Sequence, residues 1–176
     1  DGSLHAIGLR PDDFRQFEPD QSLHVEELTV VGTDRFRPEL LRRVPEAFDV
    51  AANPACSGRI FISRARASRR RLLNEEEIWP LLQQAGFERV CLEELSFADQ
   101  VALMRRTAVL AAPHGAGLTN MLFCPPGAQI LEIADLSFPN PNFYALASAL
   151  DHHYWLVAGE AVGECHPLEK DLRVAP

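Results

Sequence analysis

From residue 59 onward the chain alternates short apolar runs with amphipathic stretches of helical length. "RIFIS" (59–63) reads as a buried strand, "NEEEIWPLLQQAGF" (74–87) as a helix and "RVCLEEL" (89–95) as a strand. "SFADQVALMRRTA" (96–108) reads as a helix, "VLAA" (109–112) as a short strand and "GLTNMLFC" (117–124) as a short helix. "AQILEIAD" (128–135) is a strand, "NFYALASALDHHY" (142–154) a helix and "WLVAGEAV" (155–162) a last strand. Parallel neighbours need a crossover, so this pattern predicts an α/β domain with a parallel sheet covered by helices on both faces. With right-handed crossovers the sheet is Rossmann-like.

Local signals mark the ends. Asn74 stands as an N-cap with Glu77 three residues on, and the acidic first turn suits the helix dipole. Pro80 predicts a kink or a later helix start, and Gly86 a C-cap. Ser96 caps the next helix, whose Phe97, Val101 and Met104 share one face. Upstream, 23–32 ends in a β-rich run, 37–48 has helical spacing through Leu40, Leu41, Val44 and Phe48, and 51–58 reads as loop. Residues 1–22 are charged and weakly patterned, a linker or the remnant of a preceding domain. Residues 23–176 read as one Rossmann-like domain, and the start at Asp1 suggests a piece of a longer protein.

A chain of 176 residues can bury one real core. The net charge of −8 argues against a general nucleic-acid binder, and no run of about 18 apolar residues predicts a membrane span. The basic residues are sixteen arginines and Lys170, a skew that suggests a GC-rich bacterial genome. Cys56, Cys91, Cys124 and Cys165 form no CxxC pair and read as free thiols in a reducing compartment, hence a cytoplasmic location.

The stretch "AAPHGAGLTN" (111–120) places His114, Gly115 and Gly117 directly after an apolar strand. At the carboxyl end of a parallel strand, two glycines allow a sharp bend and close approach of a guest. The following helix offers unpaired N–H groups to an anion. The stretch lacks the third glycine of a dinucleotide fingerprint, the Gly-Lys-Ser/Thr of a Walker loop and the Ser of a nucleophile elbow. The bland alternative is a tight turn with a core histidine.

"SRARASRRR" (63–71) crowds Arg64, Arg66, Arg69, Arg70 and Arg71 after another strand. Most read as solvated or paired with Glu75, Glu76 and Glu77. Arg64, which follows the strand directly, is placed to enter the crevice and fork onto phosphate. Glu132 stands in an otherwise apolar strand, where it either accepts from ribose hydroxyls or faces solvent. Asp151, His152, His153, Cys165 and His166 match no standard ligand spacing, and Asp-x-Asp does not occur, so no metal is expected.

The combination of Ile62-Ser63-Arg64, Asn74-Glu75-Glu76, Leu95-Ser96-Phe97 with Gln100, and His114-Gly115-Ala116-Gly117-Leu118-Thr119-Asn120 resembles the C-terminal half of glycosyltransferase family 61, the capsular-polysaccharide type included. The likeness runs from about Leu23 to Asp135. It implies one half of a GT-B architecture, the donor-binding one, with the N-terminal domain missing from this chain. The implied activity is inverting, metal-independent transfer of a hexosyl or pentosyl group from a nucleotide-sugar to an acceptor hydroxyl. The implied setting is bacterial surface or capsular polysaccharide synthesis at the inner face of the membrane. Nucleotide-sugar and glycan acceptor are the partners, with no separate cofactor.

The same resemblance gives the roles. Arg64 contacts the donor diphosphate, and His114, Gly115, Ala116, Gly117, Leu118, Thr119 and Asn120 cradle it, with His114 assisting catalysis. Glu132 holds the ribose, and Leu92 to Phe97, notably Leu95, Ser96 and Phe97, border the base. On this reading Gly117→Val blocks the ligand and leaves the fold intact. Two rivals stay open: a non-catalytic nucleotide- or sugar-binding module, and a hydrolase using His114 as base, which needs a nucleophile or metal that the sequence does not offer.

Overall fold

The computed structural model describes residues 2–15, 17–22, 24–30, 36–48, 56–137 and 140–176. Of the β-rich run expected at 23–32, residues 24–30 carry no regular element and the others lie outside the described residues. Of the loop expected at 51–58, residues 51–55 lie outside them as well.

Six helices and six strands carry the framework among the described residues: α1 (Gly2–Ala6), α2 (Pro38–Leu41), α3 (Arg43–Ala47), β1 (Gly58–Ile62), α4 (Glu75–Gln84), β2 (Glu88–Val90), α5 (Phe97–Arg105), β3 (Thr107–Pro113), β4 (Gln129–Asp135), α6 (Asn142–Ala149), β5 (His153–Val162) and β6 (Asp171–Arg173). A 3-10 helix, Ala116–Phe123, joins β3 to β4. The sheet order is β2-β1-β3-β4-β5-β6. The first five strands are parallel and β6 is antiparallel to β5. The chain is therefore a mixed α/β protein with a mostly parallel sheet. No helix among the described residues is long and apolar enough to cross a membrane.

At β1, β3 and β4 both faces of the sheet are covered, while β5 leaves Trp155, Leu156 and Val157 exposed. Ile60, Ile62, Leu110, Ala112 and Ile130 pack with α5, the 3-10 helix and α6 through Met104, Leu118, Met121, Leu146 and Ala147. Phe61, Ala111 and Ile133 point the other way, onto Ile78, Trp79 and Leu82 of α4 and onto Leu72 and Leu172. Two-sided burial explains why β1, β3 and β4 read as continuous apolar runs rather than alternating ones.

The layering also fixes where a ligand can sit. The crossover β1–α4–β2 moves to one side of β1, and every later crossover moves to the other. A constant crossover hand then requires α4 on one face and the remaining helices on the opposite face, as observed. The reversal falls between β1 and β3. In an open α/β sheet the crevice beyond the carboxyl ends of such a strand pair is the ligand position.

Several expected boundaries move. The helix over 37–48 is split at Arg42, with Pro45 in its second piece. α4 starts at Glu75 with no delay and continues through Pro80. Asn74 occupies its N-cap position, but its side chain bonds Val174 instead of capping. Gly86 closes the helix at φ +81, and Phe87 N–H donates to Leu82 O. β2 stops at Val90, because Leu92–Glu94 forms a 3-10 turn where strand was expected. α6 ends at Ala149, Asp151 takes φ +59, and β5 begins at His153, inside the stretch expected to be helix.

Candidate functional site

Arg64 leaves the carboxyl end of β1. The buried Ser63 before it donates from Oγ to Glu75 Oε1 at 2.6 Å and accepts the Ala65 N–H at 3.1 Å, which fixes the backbone around Arg64. The Arg64 guanidinium donates to two loop carbonyls, Nε to Arg70 O at 3.1 Å and Nη2 to Arg69 O at 3.0 Å. Burial, and then the charge of Arg70, push it below the ordinary guanidinium range. Three other arginines of this loop find carboxylates, though not the ones expected. Arg66 pairs with Glu94, Arg69 with Glu169 and Arg71 with Asp171, while Glu75 and Glu76 pair with Arg89.

β3 ends at Pro113, and the His114 N–H donates to Ile133 O at 2.8 Å. Gly115 is extended (φ 169), so a left-handed bend is not what requires glycine there. Space requires it. A Cβ on Gly115 would lie 2.4 Å from Arg64 Nη1 and 3.0 Å from Cζ. The guanidinium thus lies directly against the backbone of the turn, and the two features picked from sequence meet at the β1/β3 crevice.

The segment after the turn, expected as a short helix, is a 3-10 helix. Its first i→i−3 bond runs from Leu118 N to Gly115 O, leaving the Ala116 and Gly117 N–H groups ahead of it without intrahelical partners. Within the cradle expected from sequence, some side chains serve the frame. Leu118 is fully buried in the core, so only its backbone is available to a guest. Asn120 Nδ2 donates to Gly117 O at 3.2 Å and staples the turn. Thr119 is exposed.

Gly117 corrects an expectation. A Cβ there would sit 3.2 Å from Leu92 Cδ1 and 3.3 Å from Ile62 Cγ2, so the missing side chain makes room for core residues. Gly117→Val is expected to destabilise the fold by about 1–3 kcal/mol through overpacking, which lowers Tm by roughly 2–4 °C for each kcal/mol in a chain of this size. Thermal melting checks it, and an unchanged Tm would show that the space is open.

Glu132 lies on the face of β4 that carries Ile130, on the side of the larger core cluster. Its carboxylate is 1% exposed, which excludes the solvent-facing alternative. One oxygen takes the His114 Nδ1 contact, and Oε2 accepts from Tyr154 OH at 2.6 Å. Burial and the Glu132 carboxylate push the Tyr154 hydroxyl up. A buried carboxylate is costly unless it is hydrogen-bonded on both oxygens, and here both have a partner. The ribose contact expected of Glu132 would therefore have to displace one of them. Phe143 meets the His114 ring edge-on at 5.1 Å. With Nδ1 committed, Nε2 is the ring nitrogen left for a guest. Sequence reasoning missed Tyr154 and Phe143, both assigned to one long helix.

Three residues expected beside a base are otherwise engaged. Ser96 Oγ caps α5, accepting Asp99 N–H at 3.1 Å. The Phe97 ring stands edge-to-face with Phe48 at 5.1 Å and Phe123 at 6.0 Å. Leu95 packs against the core, and its carbonyl accepts from Gln100. A cleft of about 290 Å³ opens over Glu132 and Tyr154, walled by Ala134, Asp135, Tyr144 and Leu156.

The family described as Glycosyltransferase 61 matches residues 3–131. An EGF domain-specific O-linked N-acetylglucosamine transferase of Drosophila melanogaster is 40% identical over 83 residues, 46% of this chain and 16% of that protein. A beta-1,2-xylosyltransferase of Arabidopsis thaliana is 28% identical over 137 residues, 69% of this chain and 24% of that protein. A protein O-linked-mannose beta-1,4-N-acetylglucosaminyltransferase 2 of Tetraodon nigroviridis is 35% identical over 114 residues, 58% of this chain and 20% of that protein. The chain thus spans between about a sixth and a quarter of the length of these relatives. With the match covering well over half of its residues, the chain belongs to glycosyltransferase family 61.

Proposed function

We propose that this chain is the Rossmann-like, donor-binding half of a GT-B glycosyltransferase, with residues 1–22 linking to an N-terminal domain and 23–176 holding the nucleotide-sugar. The enzyme transfers a hexosyl or pentosyl group to an acceptor hydroxyl with inversion. The hydroxyl oxygen, its proton passing to a general base of the N-terminal domain, attacks the anomeric carbon from the face opposite the nucleoside diphosphate, and the bond to the diphosphate oxygen breaks. Negative charge grows on that oxygen, and donors already fixed in place stabilise it without reorganising. Arg64 and the N–H groups of Ala116 and Gly117 supply those donors, so the reaction proceeds without a metal. His114 presents Nε2 to the diphosphate, held in orientation by Glu132, which acts as a positioning residue rather than a ribose ligand. The backbone of Leu92 to Phe97 borders the base.

The observation that carries this reading is the Arg64 guanidinium lying on Gly115 beside the β1/β3 reversal. The finer setting is bacterial surface polysaccharide synthesis in the cytoplasm at the inner membrane face. The arginine-rich composition supports it, while the relatives named above are eukaryotic. A thermal-shift screen with UDP-, GDP-, CMP- and dTDP-sugars tests the proposal. Ligand at 100 times Kd stabilises by about 2.7 kcal/mol, so one nucleotide class is expected to raise Tm by several degrees. No shift with any nucleotide would contradict a donor site.

A further inference from the structure

The arginines between β1 and α4 divide into two groups by what they touch. Arg66, Arg69 and Arg71 are each neutralised by a carboxylate. Among the described residues, neither Arg64 nor Arg70 pairs with a carboxylate. The two are neighbours, since Arg64 Nε donates to the carbonyl of Arg70. The Arg70 Nε is buried and has no acceptor. Arg70 also holds a left-handed backbone (φ 57), uncommon for a residue with a Cβ.

Two features of the free protein are therefore unfavourable: the charge of Arg70 repels that of Arg64, opposed only by the weaker influence of Glu93, and the Arg70 Nε is a desolvated donor without an acceptor. The chain carries 25 acidic residues, yet among those described none forms an ion pair with Arg64 or Arg70, and Glu93 acts on Arg64 only through its charge. A group with two negative charges and several acceptor oxygens relieves both defects at once, and guanidinium forks suit it.

We propose that Arg70 is the second cation of the anion site, gripping the pyrophosphate group of a nucleoside diphosphate together with Arg64. This rests on the donor-site reading above. It adds a consequence that a merely structural arginine lacks. Removing the Arg70 charge relieves repulsion in the ligand-free protein while weakening the complex.

The test compares wild type, Arg70→Gln, Arg70→Lys and the paired, exposed control Arg66→Gln. Each is titrated calorimetrically with UDP and with inorganic pyrophosphate and melted without ligand. Arg70→Gln is expected to weaken both ligands at least about tenfold, as loss of a charged hydrogen bond implies, with a ligand-free Tm equal to or above wild type. Arg70→Lys recovers part of the affinity, and Arg66→Gln stays within about twofold of wild type because its charge is already paired. The inference is overturned if Arg70→Gln binds pyrophosphate like Arg66→Gln, if only UDP binding weakens, or if its ligand-free Tm falls. Wild-type protein that binds neither ligand contradicts the donor site itself. Wild-type binding that is indifferent to Arg70 contradicts only the second cation.

Discussion

Glu132→Gln is expected to slow sugar transfer roughly 10- to 100-fold while the protein stays folded, the range that 1–3 kcal/mol of a lost buried hydrogen bond allows. The carboxylate accepts from His114 on one oxygen and from Tyr154 on the other. An amide of the same shape has only one accepting oxygen. If that oxygen keeps Tyr154, the NH2 group faces Nδ1, and the imidazole must surrender its Nδ1 hydrogen to accept it. The tautomer flips, and the ring loses the negative partner that balances an imidazolium. A diphosphate beside Nε2 then meets a neutral donor. Glu132→Ala adds a cavity and leaves two part-buried donors unpaired, so it is expected to cost about 3–5 kcal/mol of stability as well. The glutamine variant separates the two effects. Its activity and its melting temperature should part company, and wild-type turnover in Glu132→Gln would show that Glu132 does not act through His114.

Arg64→Ala is expected to weaken nucleoside diphosphate binding by about 1.5–3 kcal/mol, the range for hydrogen bonds to a charged group. The loss in stability should be smaller, since the Arg69 and Arg70 carbonyls that Arg64 satisfies lie in a loop open to water on one side. Gly115→Ala provides a second route to the same defect. The new Cβ would fall 2.4 Å from Nη1, the far end of a flexible side chain, so the guanidinium moves and the backbone stays. The two substitutions act on one contact and are expected to be non-additive: the double variant should bind no more weakly than Arg64→Ala alone. Additive losses in calorimetry would place Gly115 and Arg64 in separate interactions.

The alternation of strand and helix was legible because β1, β3 and β4 are buried on both faces and read as apolar runs. Where the reading slipped, tertiary contacts or backbone detail decided. Cys91 and Leu92 prolong the apolar run of β2, yet the chain turns there into a 3-10 helix. Leu150 continues a helical period beyond α6, but Asp151 in the left-handed region ends it, so Tyr154 was assigned to a helix. β6 is three residues long, too short to show a period. In the site, Arg64 and the turn were legible as chemistry after strand ends. Glycine in a sequence says only that a Cβ is unwelcome. At Gly115 the reason is a guanidinium, and at Gly117 it is Leu92 and Ile62. Glu132 stood out as a charge in an apolar strand, but its partners come from the turn after β3 and from β5. Nothing local in the chain announces that pairing.

The most direct measurement is a crystal structure of the protein with the nucleoside diphosphate that gives the largest thermal shift. Phosphate oxygens should lie within hydrogen-bond distance of the Arg64 guanidinium, the Ala116 or Gly117 N–H and His114 Nε2. A diphosphate lodged elsewhere, such as in the cleft walled by Tyr144 and Leu156, with Arg64 still resting unliganded on Gly115, would contradict the assignment.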